Sequence, residues 1–222
     1  MLIDTVYKNV FDFSNKSQIG GYLSPERFNR YAVFCQKDII NELIQLAGLN
    51  QRVISLCKNI LKTENVNVNN GTVSSPADYL AYHDANSMFY DSDKKRFEEY
   101  PVDYIDSAER GERLRSKIVP PEVDYPIASE TTSGGLRIEP TEVSLIKLTY
   151  FYLPEDPEWV GDSSIPPVFD PNASTDFVLD DKFANVLVYK ILRYFGIEIK
   201  DAFIMQTTTD QVVKTYLGQQ TN

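Results

Sequence analysis

Three polar residues close together in the sequence, His83, Asp84 and Ser87, are of the types that build a hydrolytic triad. In such a triad the serine attacks the substrate, the histidine takes the serine proton, and the carboxylate orients the histidine. The serine must also stand on a strained turn such as a Gly-x-Ser-x-Gly elbow, and no elbow surrounds Ser87. We therefore predict that His83 is structural or exposed, with a hydrolase that uses His83 as the alternative.

A second candidate is a run of oxygen ligands spaced as in a calcium-binding loop, at Asp170, Asn172, Ser174 and Asp176. This run lacks the glycine at the sixth position and the bidentate glutamate at the twelfth. We interpret it as an Asx-rich helix entry, with a stabilising metal at residues 170–176 as the alternative. One histidine and two separated cysteines do not complete a zinc site, and no glycine-rich phosphate motif is present. We expect no cofactor.

The charge balance limits the partners of this chain. Its 222 residues include 32 acidic and 22 basic side chains, a net charge of −10 spread along the whole length. A groove that follows nucleic-acid phosphates needs clustered lysine and arginine, so we do not expect one. A DNA-reading helix-turn-helix around residue 50 would carry only Arg52, Lys58 and Lys62 as bases on its second helix, so we do not expect one. No run approaches the ~20 apolar residues of a membrane helix, and we expect cytoplasmic synthesis.

Two helices joined by a short corner, within residues 15–63, are the clearest predicted elements. Ser24 can cap the first helix, Pro25 suits its first position, and Gly48 is expected to end it. Asn50 can cap the second. Apolar residues recur at helical spacing, at Phe28, Tyr31, Ala32, Cys35, Ile39, Leu43 and Leu46, then at Val53, Ile54, Cys57, Ile60 and Leu61. We predict that this hairpin, from Pro25 to Lys62, is the scaffold and that both cysteines are buried and reduced.

The middle of the chain has the composition of a mainly antiparallel β module. A polar linker is predicted over residues 64–75, one or two strands within 77–90, and a β-hairpin from 127–130 and 136–139 around two glycines. Residues 143–153, rich in β-branched and aromatic side chains, predict the best strand, ended by Pro154. The charged segments 91–96 and 110–117 are expected to be surface turns.

Helical periodicity returns near the C-terminus. Asp176 and Asp180 can cap a third long helix over residues 181–195, and a last helix is expected around residues 212–217. The predicted fold class is α+β, with an N-terminal helical hairpin and C-terminal helices around the β module. We assign residues 1–63 to an arm and the hairpin, 64–175 to the β module, and 176–222 to helices that pack on the hairpin or on neighbouring subunits.

Four segments carry a resemblance to a known family. They are residues 15–29 (NKSQIGGYLSPERFN), 150–159 (YFYLPEDPEW), 176–179 (DFVL) and 190–197 (KILRYFGI). Together they resemble virion structural proteins of crAss-like tailed bacteriophages, which begin with an N-K-x-Q-x-G lead and a P-x-x-F-N helix entry. These motifs are turn and core signatures and not a catalytic fingerprint.

The resemblance implies a non-enzymatic ring component of the phage neck, between portal and tail. Head-to-tail contacts close rings from one modest subunit, and the family implies about twelve copies. Double-stranded DNA would pass through without sequence recognition, and carboxylates in the channel would repel its phosphates. The implied partners are the portal and other neck or tail ring proteins, with no membrane. A host-takeover enzyme and a tail or receptor-binding module are the alternatives.

The two ends of the chain are the predicted contact regions in such a ring. Apolar groups on short terminal segments need a neighbour to cover them, and nearby polar groups would form the rim. The candidate interface residues are Phe11, Phe13, Asn15, Lys16, Gln18, Tyr216 and Leu217. The alternative is that both ends fold back on their own domain.

Overall fold

The structure, a computed structural model, describes residues 1–16, 24–91, 95–132, 134–162, 168–195 and 212–214. The chain divides into two compact units. Unit 1 contains Met1–Ile60 and Pro154–Asn222, and unit 2 is the continuous segment Leu61–Leu153. Residues 154–175, which we assigned to the β module, therefore belong to the helical unit. The fold class is α+β, as predicted from the sequence.

The described part of unit 1 contains three named α-helices: α1 (Ile3–Lys16), α2 (Pro25–Leu49) and α4 (Ala184–Tyr194). α1 and α2 both pack on α4. The Ser24 hydroxyl accepts the Arg27 amide at 3.3 Å, so the predicted start of α2 is confirmed. The predicted third helix is confirmed as well: Asp180 caps a 3₁₀ turn, Asp181–Phe183, that leads into α4. Near the C-terminus, Val212 and Val213 lie in a helical turn and are buried.

The predicted second helix of the hairpin is not an α-helix. After Asn50 the chain forms two 3₁₀ turns, Gln51–Leu56 and Lys58–Ile60, and strand β1 (Leu61–Asn67) begins immediately. β-Branched residues disfavour an α-helix, and a 3₁₀ turn places every third residue on one side. Val53 and Leu56 are buried three positions apart in the first turn, and Cys57 and Ile60 are buried three positions apart where the second turn follows. A helix-turn-helix thus lacks its second helix here.

The end of α2 also differs from the prediction. Gly48 lies inside the helix, which continues to Leu49, and the Asn50 backbone N–H caps it by donating to the Leu46 carbonyl at 2.9 Å. The Asn50 side chain accepts the Arg52 amide at 3.0 Å, as predicted for the start of the next segment. One asparagine therefore serves both sides of the corner.

Unit 2 contains two four-stranded sheets. The first has the order β1-β8-β3-β4, with β3 at Tyr79–Asp91, β4 at Arg96–Pro101 and β8 at Leu145–Tyr152, all antiparallel. The second has the order β2-β7-β6-β5, from β2 (Thr72–Val73), β5 (Asp103–Tyr104), β6 (Ile127–Glu130) and β7 (Leu136–Glu139); only β5 and β6 pair in parallel. The predicted hairpin and the predicted best strand are confirmed as β6–β7 and β8.

Two predictions in unit 2 are wrong. The polar segment 64–75 is not a linker, because β1 pairs along its whole length with β8, from Leu61 opposite Phe151 to Asn67 opposite Leu145. Its stability as a strand comes from that partner and not from burying a face of its own. The charged segment 110–117 is not a surface turn, since helix α3 (Ser107–Arg115) covers most of it, capped by Asp106.

The core of unit 2 is formed by apolar side chains of both sheets and their connections. It includes Val68, Val73, Ala85, Val102, Ala128, Leu136, Ile138, Val143, Ile146, Leu148 and Tyr150. A two-residue turn at Asn70-Gly71 joins β1 to β2, and both residues have positive φ, at 50° and 71°. Asn-Gly is the residue pair that favours this mirror-image form of turn, which suits a tight hairpin.

Candidate interface surfaces

One side of α2 holds the segment that returns from unit 2 to unit 1. The Asn29 side chain bonds both backbone groups of Trp159: its amide nitrogen donates to the carbonyl at 2.9 Å, and its oxygen accepts the N–H at 2.9 Å. The Trp159 ring is buried, lies 4.1 Å from the Tyr7 ring centre, and donates to Asp4 at 3.2 Å. Two turns later, the buried Gln36 donates to the Glu155 carbonyl at 3.2 Å and accepts the Val178 amide at 3.0 Å.

These hydrogen bonds leave a row of acidic side chains exposed to solvent. Pro154, Pro157 and Trp159 are buried, while Glu155, Asp156 and Glu158 are exposed. Lys37 of α2 pairs with Asp156 at 2.8 Å. The Glu158 backbone is fixed by two hydrogen bonds with Thr175, at 3.0 and 2.8 Å. We call residues 155–158 the acidic loop.

The other side of α2 carries a different surface. Arg27, Arg30, Tyr31 and Phe34 recur at helical spacing, and Tyr194 and Phe195 from the end of α4 lie against them. The Tyr31 ring is 5.6 Å from Tyr194 and 4.8 Å from Phe195, and the Arg27 guanidinium lies 5.0 Å above the Phe195 ring. Phe34 is 54% exposed and Tyr194 is 52% exposed. We call these six residues the arginine–aromatic stripe.

A half-buried lysine fastens α4 to α2 beside this stripe. Lys190 binds Glu42 at 2.8 Å and also binds Asp38. Burial acts to lower the pKa of Lys190, but hydrogen bonds to Asp38 and Glu42 outweigh it, so the pKa is raised above its usual value. Cys35 lies nearby and, like Cys57, is fully buried, which confirms the predicted burial of both thiols. Burial raises the pKa of Cys35 to about 12 and that of Cys57 to about 11.

The predicted interface residues fall partly outside the described chain. Phe11 and Phe13 are half-buried on α1, whose inner residues Ile3, Val6 and Val10 are fully buried. Asn15 and Lys16 end α1, and their side chains are not described; Gln18, Tyr216 and Leu217 lie outside the described residues. Because α1 packs on α4, the N-terminal segment is part of unit 1 and not a separate arm. The contact roles of these seven residues stay a prediction.

The residues considered for catalysis have structural surroundings. Tyr82 pairs with Tyr150 and Asp84 with Thr149, so His83 is the extra residue of a β-bulge, with its ring centre 5.6 Å from that of Phe151. Ser87 is buried, with 1% of its surface exposed, and its hydroxyl donates to the Tyr100 carbonyl at 3.5 Å. A substrate therefore has no direct access to the Ser87 oxygen.

In the loop considered for metal binding, the oxygen atoms form hydrogen bonds with other groups of the protein. Asp170 accepts the Asn172 amide at 2.9 Å, and the Asp170 carbonyl accepts the Ser174 hydroxyl at 2.7 Å. Asp176 accepts the Ile3 amide at 2.8 Å, which ties the loop to the start of α1. Within the described ranges no three His, Cys, Asp or Glu side chains are grouped to hold a metal, and no helix is long and apolar enough to cross a membrane.

Unit 2 contains two ionic clusters that fasten its own elements. In the first sheet Asp78 binds Lys62 and accepts the Tyr150 hydroxyl at 3.0 Å. The bond to Lys62 lowers the pKa of Asp78, while burial, and next the bond to Asp78, raise the pKa of Tyr150. In the second sheet Glu139 binds Arg110 of α3 and accepts from Arg137 at 3.2 Å.

Unit 2 also exposes aromatic rings at the far end of its β3–β4 hairpin. Tyr90 and Phe97 face each other across the two strands with ring centres 5.3 Å apart, and Phe89 is exposed as well. Ile118, in the proline-rich connection after α3, is 92% exposed.

No protein-family model matches this chain, and no curated protein matches it significantly. The functional reading therefore depends on the residues and their geometry. The sequence analysis did not identify the side-chain amides of Asn29 and Gln36 as the groups of α2 that hold the acidic loop. The available signal was their spacing: Asn29 and Gln36 are seven positions apart, two helical turns, at the edge of the apolar face.

Proposed function

We propose that this chain is a non-enzymatic virion structural protein that forms a ring in the neck of a crAss-like tailed bacteriophage, between portal and tail. The ring contains about twelve copies and encloses a conduit for double-stranded DNA. In the infected cell the protein is made in the cytoplasm and ends in the virion, bound to the portal and to other neck or tail rings.

The supporting observation is how the segments that carry the resemblance meet in unit 1. Asn29, in the first segment, bonds the backbone of Trp159, in the second. Val178, in the third segment, donates to Gln36 of α2, and Lys190, in the fourth, binds Asp38 and Glu42. Each of the four segments thus contributes a contact that holds unit 1 together, which supports a common structural role for them.

The charge of the chain suits a conduit. A net charge of −10 disfavours retention of DNA, because binding would require clustered lysine and arginine that displace the counterions condensed on the DNA phosphates. A hydrolase would need Ser87 and His83. Ser87 is buried and His83 lies in a β-bulge, which favours a structural role for both.

The test is whether the chain is part of the particle. We expect mass spectrometry of purified virions to detect it in ring stoichiometry with the portal, and electron microscopy to place it in the neck. Its absence from particles that contain the portal would overturn the proposal. Turnover of a hydrolase substrate that disappears in His83→Ala would favour the enzyme.

A further inference from the structure

We infer that the acidic loop of one copy docks on the arginine–aromatic stripe of a second copy, and that this contact repeats from subunit to subunit. The inference rests on the proposed ring and names the two surfaces through which its copies meet.

The two surfaces lie on different sides of one helix. Asn29 and Gln36 hold the acidic loop. Tyr31 and Phe34 are rotated from Asn29 by about 140–200° around α2, and Arg30, at the near edge of the stripe, by about 100°. A subunit with complementary surfaces on two sides can contact one neighbour with each at the same time. This heterologous arrangement is the one that produces closed rings.

The acidic loop and the arginine–aromatic stripe carry opposite charges, whereas two copies of this acidic chain repel each other on average. Arg27, Arg30 and Arg193 are exposed around the stripe, and Glu155 and Glu158 are exposed on the acidic loop. Because the chain has a net charge of −10, most contacts between two copies would bring carboxylates together. Pairing the loop with the stripe avoids this cost and specifies one orientation.

The stripe also has the composition and rigidity of an interface centre. Arginine and aromatic residues are enriched at interfaces relative to the rest of the protein surface, and arginine and tyrosine are frequent among the residues that dominate binding energy. Tyr31 stacks on Tyr194 and meets Phe195 edge-on, so these rings are already held in place before binding and little side-chain freedom is lost on contact. Phe34, half-exposed beside them, gains a cover.

The experiment is a charge-reversal cycle on the full chain, read by sedimentation velocity and native mass spectrometry. Arg30→Glu and Glu158→Arg each reverse one exposed charge, and Arg52→Glu is the matched control at another exposed arginine of unit 1. We expect each of the first two variants to weaken self-association at least about tenfold, and the double variant to recover most of the loss. Arg52→Glu should associate as the wild type does.

Three results would overturn the inference: single variants that associate normally, a double variant that stays as weak as the singles, or a wild-type chain that is monomeric at every concentration. If Arg30→Glu leaves self-association intact but abolishes binding to purified portal protein, the stripe faces the portal instead. Failure here is distinguishable from failure of the proposed function, since incorporation into virions is measured independently of self-association.

Discussion

The side chain of Asn29 replaces a strand partner for Trp159, satisfying its backbone N–H and its carbonyl at 2.9 Å each. We expect Asn29→Ala to destabilise unit 1 by about 2–4 kcal/mol, because both buried backbone groups lose their partner. Trp159 is the single tryptophan of the chain, so its fluorescence during urea unfolding reports the change directly. Asn41→Ala, at an exposed position of the same helix, is the control. Equal stability of the two variants would contradict the role of Asn29.

The buried thiols predict slow labelling. With pKa values of about 12 for Cys35 and about 11 for Cys57, at most about 10⁻³ of either thiol is ionised at pH 8, and both are sterically covered. We expect an aromatic disulfide reagent to modify neither cysteine in the native protein and both in denaturant. Rapid native labelling of either thiol would show that its helical face or corner is open.

Lys190 predicts a pH dependence at the alkaline end. Its folded pKa is raised, so the stabilisation is fully present below the ordinary value of 10.5 and is lost as pH rises through the folded pKa. Lys190→Met should cost about 1–2 kcal/mol at neutral pH, since Asp38 and Glu42 then repel each other without a cation. Lys37→Met, which removes a surface pair with Asp156, should cost less than about 0.5 kcal/mol. Similar costs for both variants, measured by urea unfolding, would refute the anchoring role.

Asp78 predicts a pH dependence of opposite sign in unit 2. Its pKa is lowered from 3.8, so the stabilisation is present above that value and is lost as pH falls through the folded pKa. Tyr150→Phe removes the buried hydroxyl that donates to this carboxylate and should cost about 1 kcal/mol at pH 7. The loss should shrink in acid. Tyr125→Phe, at an exposed ring, should be neutral, and an acid-independent effect of Tyr150→Phe would argue against the pairing.

Two glycines should respond to alanine in opposite directions. Gly71 has φ +71°, and an added Cβ would lie 2.9 Å from the Ile138 carbonyl, so we expect Gly71→Ala to destabilise by more than about 1 kcal/mol. Gly48 is helical with nothing within 4 Å of an added Cβ, so Gly48→Ala should stabilise by about 0.5–1 kcal/mol. Thermal unfolding of the two variants tests both, and a shift in the same direction would contradict this assignment of strain.

Local signals predicted some elements well and others poorly. The Ser24 cap, the Asn70-Gly71 turn and the Asp180 cap involve bonds within three residues, so the sequence contains their full cause. The strand at residues 61–67 depends on β8, whose paired residues lie 78 to 90 positions later, and its polar side chains gave no sign of pairing. The 3₁₀ corner after Asn50 was misread because its apolar positions fit a spacing of three and of four equally over so short a stretch.

Of the two candidate surfaces, one could have been predicted from the sequence and the other could not. The arginine–aromatic stripe could have been read from the spacing of Arg27, Arg30, Tyr31 and Phe34, although half of its ring cluster comes from α4. The acidic loop could not, since its exposed and buried residues are decided by bonds to Asn29 and Gln36 about 120 positions earlier. Long-range hydrogen bonds of this kind have no local signature in a single sequence.

Leu61 lies opposite Phe151, so the chain enters and leaves unit 2 on neighbouring strands, a few residues from each end of that unit. A module whose two ends are adjacent can be removed or exchanged by joining its flanks with a short turn, without stretching the polypeptide that remains. Unit 2 therefore has the geometry of a removable insert. We expect a chain that lacks the segment from Leu61 to Leu153 to keep the helices, the clamped tryptophan and both surfaces of α2.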